Sequence, residues 1–376
     1  MDGDRTSSAP WYLAALVCVA IVGLSAVLTH GDATRPPAAQ AATSGAIDGM
    51  PGMAGTPHGD GDGAARAADA DADADIAFEP YKRPSPYLPA VPRGAVKRFR
   101  VEVYEHVTKV SDDAPARRVW SFAVDGREER GTGLSAPMVV RQGDHVEMTF
   151  VNGGSKAMQV TRGHSLDLHA ADVAPGRAFE TIAPGKSLRF GFIASHPGTF
   201  LYHCATNPMI EHLGAGMVGM LLVKPRHMAP VDRELWVMQQ EFYPSTAPGA
   251  DPSLAAMMDK RPDVVAFNGY ADQYKKHPIH VRRGERIRVY LLDAGPSLPM
   301  LFHVLGTVFT KTDIEGQIGH SAQTVNLGPS QGGYVEFSLR HSGAYPFVTH
   351  SFADMMRGAM GAFVTQGVPD SAASAF

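Results

Sequence analysis

The stretch "APGKSLRFGFIASHPGTFLYHC" (residues 183–204) decides the fold, because "GPSQGGYVEFSLRHSGAYPFVT" (residues 328–349) repeats it. Pro184, Phe192, His196, Gly198, Phe200 and Tyr202 match Pro329, Phe337, His341, Gly343, Tyr345 and Phe347, each pair 145 residues apart. Upstream, "VRQGDHVEMTF" (140–150) matches "VRRGERIRVYL" (281–291) at an offset of 141. A period this long marks two copies of a whole domain, not a solenoid. In both copies short alternating segments are bounded by Gly, Pro, Asn and Asp, the pattern of half-buried strands. The chain is therefore expected to be all-β, with two tandem barrels over 96–226 and 227–368 that join near "KPRHMAPVDRE" (224–234). No segment with helical period stands out between 96 and 225.

The flanking sequence is of a different kind. "WYLAALVCVAIVGLSAVL" (11–28) carries no charge and is long enough to cross a bilayer, so residues 1–30 are read as a membrane segment. It is either a retained anchor or a signal cleaved near Ala39-Gln40-Ala41, and either way the remainder is exported. Residues 31–95, rich in alanine, aspartate and glycine, read as a disordered low-complexity tether. Met50, Met53 and His58 within it fit composition better than a metal site. The formal charge of −4 offers no footprint for nucleic acid.

The chain has two cysteines, Cys18 in the apolar run and Cys204, so Cys204 is a lone thiol. Behind it, "ATNPMIEHLGAGM" brings His212 and Met217 within fourteen residues of the chain. A thiolate, two imidazoles and a thioether are the ligand set of an electron-transfer copper. The second imidazole is offered by His164 in "RGHSLDLHAA" (162–171). Met217 follows a glycine turn and is preferred over Met209 and Met220 as the thioether. The second copy has lost this set: Thr349 stands at the position of Cys204, Ala359 at that of Met217, and nothing in 352–360 replaces His212.

Neighbouring residues on a strand face opposite ways. If Cys204 points into its barrel, His203 points out. His164 and His169 are an odd number of residues apart and are sorted likewise, and Asp167 shares the outward face of His169. Parity alone divides these residues into two sites. The outward pair needs a third ligand from another surface, and the second copy offers His303 in "LFHVLG" and His350 in "PFVTHSFADMM". A three-histidine copper with an open position binds a small anion or water. The Cys204–His203 peptide would join the two metals by few bonds.

These residues, over about 96–366, resemble the copper-containing nitrite reductase family. The resemblance implies two cupredoxin-type Greek-key barrels assembled as a homotrimer. It implies a type 1 copper on His164, Cys204, His212 and Met217, and a type 2 copper on His169, His203 and a neighbouring subunit's His350. Asp167 and His303 then correspond to the pair that handles protons over bound nitrite. The implied reaction reduces nitrite to nitric oxide in the periplasm or on the outer face of the cytoplasmic membrane. Electrons would come from a small donor protein, a cupredoxin or cytochrome c. The competing readings are a laccase-like multicopper oxidase, which needs His-x-His pairs that this chain lacks, and a non-catalytic copper electron-transfer protein.

Overall fold

The computed structural model describes residues 78, 80–127, 133–153 and 160–375. The expected membrane segment and most of the expected tether lie outside the described residues. Among those described, no helix is long and apolar enough to cross a membrane.

The first half contributes β1 (Val96–Thr108), β2 (Arg117–Val124), β3 (Met138–Arg141), β4 (His145–Val151), β5 (Asp167–Leu168), β6 (Ser187–Ile193), β7 (Gly198–His203) and β8 (Val218–Lys224). They form two sheets, in the orders β2-β1-β4-β6 and β3-β8-β7-β5. The second half contributes β9 (Arg233–Phe242), β10 (Val264–Phe267), β11 (His277–Val281), β12 (Arg286–Asp293), β13 (Met300–Val304) and β14 (Lys311–Ile314). It continues with β15 (Gln317–Gly319), β16 (Thr324–Leu327), β17 (Gly332–Ser338), β18 (Ala344–Thr349) and β19 (Met360–Thr365). Their sheets run β10-β9-β12-β17-β14-β15 and β11-β19-β18-β13-β16.

The internal repeat is visible in the strand ladders. β1 runs parallel to β4 as β9 does to β12. Val140 pairs with Val223 in the first half, and Val281 with Thr365 in the second. Each half closes around its own apolar core. Val101, Trp120, Phe150, Leu168 and Tyr202 belong to one, and Val237, Val289, Phe302, Val335 and Phe363 to the other. In β1 the alternation of buried and exposed positions over residues 97–101 is the period-2 pattern that placed a strand there.

Two single-turn helices, α1 (Pro175–Ala178) and α2 (Met209–Gly214), interrupt a region the sequence reads as free of helix. At four and six residues they are too short for an apolar helical period to register. Three more short helices lie in the second half: α3 (Leu254–Met258), α4 (Gln273–Lys276) and α5 (Phe352–Met356).

A second correction concerns residues 80–95, read from sequence as the end of the tether. They lie along the second barrel instead. The Trp236 amide donates to the Pro86 carbonyl at 3.0 Å, and its indole N–H to the Ser85 carbonyl at 3.0 Å. Tyr81 donates to Gln273 at 2.9 Å, and Leu88 and Val91 pack on an apolar cluster. The physical reason is local: Tyr81, Tyr87, Leu88 and Val91 give this stretch the apolar surface that the Ala/Asp/Gly run lacks.

The two barrels meet through that same cluster, where Leu201, Val218, Met220 and Leu222 of β7 and β8 pack against Trp236, Met238, Tyr290 and Leu292. At about 1.5–3 kcal/mol for each fully buried large side chain, this seam is a main source of rigidity between the halves. Backbones approach closely at one point. A Cβ on Gly332 would sit 2.1 Å from the Thr199 carbonyl oxygen, while the Thr199 hydroxyl donates to the Gly333 carbonyl at 3.1 Å. Glycine is required there by contact across the seam, a common meaning of glycine at a strand position. Gly332→Ala is expected to lower stability by about 1–3 kcal/mol, measured by urea unfolding. Gly176→Ala, with nothing within 4 Å of its added carbon, serves as the neutral control.

Candidate metal centres

Strand β7 organises both sites. Tyr202 and Cys204 belong to the first barrel's core, whereas Leu201 belongs to the seam between barrels. Cys204 therefore faces inward, and His203, in step with Leu201, faces the other way. β5 pairs with β7, setting Asp167 opposite His203 and Leu168 opposite Tyr202. The His169 amide then donates to the Leu201 carbonyl at 3.1 Å, which holds His169 beside His203.

The inward cluster is assembled from three segments. The Cys204 amide donates to the Met217 carbonyl at 3.1 Å and the Met217 amide to the His212 carbonyl at 3.0 Å. These bonds close the loop between Cys204 and Met217 on itself. Its turn passes through Gly216 at φ +113°, where a Cβ would meet the Trp120 carbonyl oxygen at 3.0 Å. His212 comes from the last turn of α2. His164 lies at a single bridge to Ile182 before β5. The Cys204 Sγ lies 3.2 Å from His212 Nδ1 and 3.7 Å from His164 Nδ1, and the two Nδ1 atoms are 3.1 Å apart. Cys204, His164 and Met217 are fully buried. The Ser165 amide donates to Sγ at 3.4 Å. Trp120 packs edge-on against both imidazoles, at 5.6 and 5.0 Å between centroids.

This donor set fits a metal ion. Ligand bonds near 2 Å put neighbouring donor atoms roughly 3–4 Å apart, the spacing found here. Burial, followed by nearby positive charge, holds His164 and His212 down at about 3, so both rings are neutral with lone pairs to give. Two neutral Nδ1 atoms and a sulfur cannot all be satisfied by one another's protons, and the thiolate with imidazoles selects a soft or borderline ion such as copper.

The outward cluster is Asp167, His169 and His203, whose ligand atoms lie within 4.8 Å of one another. His169 Nε2 is 3.1 Å from His203 Nε2, and the Asp167 carboxylate is 3.7 Å from the latter. His203 Nδ1 donates to the Cys204 carbonyl at 3.0 Å, which fixes Nε2 as the free donor atom. The His169 pKa is lowered, first by burial and then by His203, with Asp167 opposing.

His303 and His350 do not join this cluster within one chain. They stack on each other on the second barrel, 4.9 Å between centroids, beside an exposed Phe352. His303 Nδ1 donates to the Gln323 carbonyl, again leaving Nε2 outward. The ladders give Asp167 and His303 equivalent places: Asp167 pairs with His203, and His303 with Val348, 145 residues beyond His203.

The second barrel retains the emptied counterpart of the inward cluster. The Leu301 amide donates to Thr349 Oγ1 at 3.0 Å, as the Ser165 amide does to Cys204 Sγ. The Ala359 amide donates to the Asp354 carbonyl at 3.2 Å, as the Met217 amide does to that of His212. Asp354 thus occupies the position of His212, for which the sequence showed no counterpart in 352–360. The loop after Thr349 is shorter by three residues than the loop after Cys204, which moved Asp354 off the 145-residue register. Sequence reasoning also passed over Trp120, Ser165, Arg162 and Glu105 around the inward cluster. Only Glu105 left a trace, a matching glutamate at Glu241.

Fold and clusters together define a two-barrel copper protein. A multicopper oxidase family model matches residues 106–227. A solved multicopper oxidase shares the fold at TM-score 0.61 and 20% identity, covering 77% of this chain and 94% of that one. The copper-containing nitrite reductase of Neisseria gonorrhoeae is 34% identical over 293 residues, 74% of this chain and 71% of that one. The solved copper nitrite reductase of Nitrosomonas europaea superposes at TM-score 0.64 and 27% identity, over 74% of this chain and 97% of that one. The chain belongs to the copper-containing nitrite reductase family.

The depressed histidines give the metal-free protein a defined pH response. Unfolded rings take up protons below about pH 6.5, while folded His164 and His212 stay neutral down to about 3. Their contribution to stability is therefore full above 6.5 and is lost as pH falls toward 3. His212→Gln, which takes up no proton, is expected to show a flatter decline in metal-free melting temperature between about pH 6.5 and 4, read by calorimetry.

Proposed function

We propose that this chain reduces nitrite by one electron to nitric oxide and water, consuming two protons. The observation that carries the reading is the pairing of a buried cysteine–imidazole cluster with an outward Asp–His–His cluster through two adjacent residues, Cys204 and His203. When bound, copper supplies the one-electron couple and, at a site with an open position, a Lewis acid for the anion.

The residues divide the work. His164, Cys204, His212 and Met217 form the type 1 site, buried and free of bulk water. His169 and His203 supply two ligands of a type 2 site. His350 supplies the third from a neighbouring subunit, since within its own chain it stacks on His303 and stands apart from the outward cluster. Sharing of this kind calls for a closed cyclic oligomer, which we read as a homotrimer. The exposed Phe352 and Met356 beside His350 suit burial in such a seam. One peptide unit joins the two clusters, the shortest covalent path between residues of opposite faces. A small donor protein, a cupredoxin or cytochrome c, reduces the type 1 site, and the protein works outside the cytoplasmic membrane.

Asp167 stands over the outward cluster, its carboxylate 3.7 Å from His203 Nε2, placed to hold or pass a proton to a bound anion. His303 presents Nε2 from the second barrel, its tautomer set by Gln323. A non-catalytic electron carrier needs only the inward cluster and gives no role to Asp167, His169 and His203. The test is nitrite turnover of the copper-loaded protein with a reduced dye. Asp167→Asn and His303→Ala are expected to retain copper and to lower turnover by about 10²–10⁴-fold with an altered pH profile. Full activity with an unchanged profile in both would favour the electron carrier.

A further inference from the structure

One buried carboxyl group beside the inward cluster has no part in the scheme above. Glu105 lies on β1 with its side chain wholly buried, and its Oε1 is 3.6 Å from Nε2 of His164, also wholly buried. That Nε2 has no hydrogen-bond partner. The same Oε1 accepts the Thr161 amide at 3.3 Å, three residues before His164. Its other oxygen faces Arg118 at 3.9 Å, and Arg118 and Arg162 both reach Asp251 of the second half, at 3.6 and 2.9 Å. Arg162 in turn lies 4.3 Å over the Trp120 ring that flanks both imidazoles.

The internal repeat supplies the comparison. Phe99 pairs with Met148 in the first barrel and Leu235 with Val289 in the second, so β1 and β9 correspond at 136 residues and Glu105 corresponds to Glu241. Thr161 corresponds to Ser297, whose amide donates to Glu241 Oε1 at 2.7 Å. In both barrels, then, a buried glutamate ties down the segment entering the next strand. At the same offset His164 corresponds to Met300, which offers no nitrogen. There the second carboxylate oxygen takes the Tyr243 hydroxyl, and the Leu298 amide joins the first. The anchoring task is common to both glutamates. Facing a histidine is peculiar to Glu105.

We propose that Glu105 is a positioning residue for His164. At 3.6 Å its carboxylate faces Nε2 and keeps the ring proton on that nitrogen by charge, which leaves the Nδ1 lone pair aimed at Cys204 and His212. A buried carboxylate on the far side of an imidazole fixes the ring and makes it a stronger donor. A stronger donor favours the oxidised, doubly charged metal over the reduced one, so Glu105 holds the reduction potential of this site down. The inference rests on reading His164, Cys204, His212 and Met217 as a copper site.

The test compares copper-loaded wild type with Glu105→Gln, Glu105→Asp and Glu241→Gln. Read out are Cu(II) and Cu(I) affinities, the potential and visible spectrum of the cysteine-bound copper, and the melting temperature of the metal-free proteins. Glu105→Gln keeps the contact without the charge. Glu105→Asp keeps the charge but draws it back from Nε2, and it carries the test alone if Glu105→Gln fails to fold. Both are expected to weaken Cu(II) binding about 10–100-fold with a smaller loss for Cu(I). Each tenfold difference between the two states reads as a rise of about 59 mV. Glu241→Gln is expected to leave spectrum and potential at the wild-type values whatever it does to melting. Wild-type potentials and Cu(II) affinities in both Glu105 variants would overturn the positioning role alone, as would an equal shift in Glu241→Gln. A wild type that binds copper with no thiolate absorption would overturn the copper-site reading and this inference with it.

Discussion

The structure depends on one property of an extended chain: consecutive side chains leave it in opposite directions. β7 ends on His203, and Cys204 follows at once. Because Tyr202 and Cys204 must face the first barrel's core, Leu201 and His203 must face outward, toward the seam and the surface. Two chemically different metal environments are thereby fixed by a single peptide unit. The inward one is sealed by Trp120 and the loop from Cys204 to Met217. The outward one includes the exposed His169. Neither environment can shift without moving the other, which suits a centre that must pass electrons over a fixed distance.

The two barrels share a plan and differ in what the plan holds. Cys204, His164, His212 and Met217 face Thr349, Met300, Asp354 and Ala359 at matching places. The second barrel has kept the glycine turn, at Gly358 with φ +116°, and the backbone bonds around it while losing the soft donors. Its outward face has kept chemistry. His303 stands where the first barrel carries Asp167, and His350 follows directly on Thr349. One barrel thus offers an outward Asp–His–His set and the other an outward His–His set. Complementary halves of this kind on separate barrels are the reason assembly, and not the single chain, is invoked to complete the second site.

Much of this was legible in the sequence, for identifiable reasons. The 141- and 145-residue offsets carried the two-barrel architecture, since a duplicated domain repeats its turns and apolar positions together. Parity carried the sorting of His164, Asp167, His169, His203 and Cys204, because strand geometry needs no knowledge of the rest of the fold. Features set by packing between distant segments were not legible. Asp354 was hidden by a loop that changed length, α2 by its brevity, and the docking of residues 80–95 by a partner surface, around Trp236, that lies far along the chain. Glu105 was invisible for the same reason, as its partners Thr161, His164 and Arg118 come together only when β1 is laid beside them. A buried glutamate in an apolar strand has no sequence signature apart from its echo in Glu241.

In the proposed function two separate copper sites flank the Cys204–His203 peptide. Copper-to-protein ratio and electron paramagnetic resonance, measured on copper-loaded wild type and Cys204→Ser, test it most directly. The serine variant is expected to lose the intense thiolate absorption and about one copper ion per chain, while the signal of the histidine-bound copper persists in a folded protein. A variant that keeps the absorption, or that loses both signals although it remains folded, would contradict it.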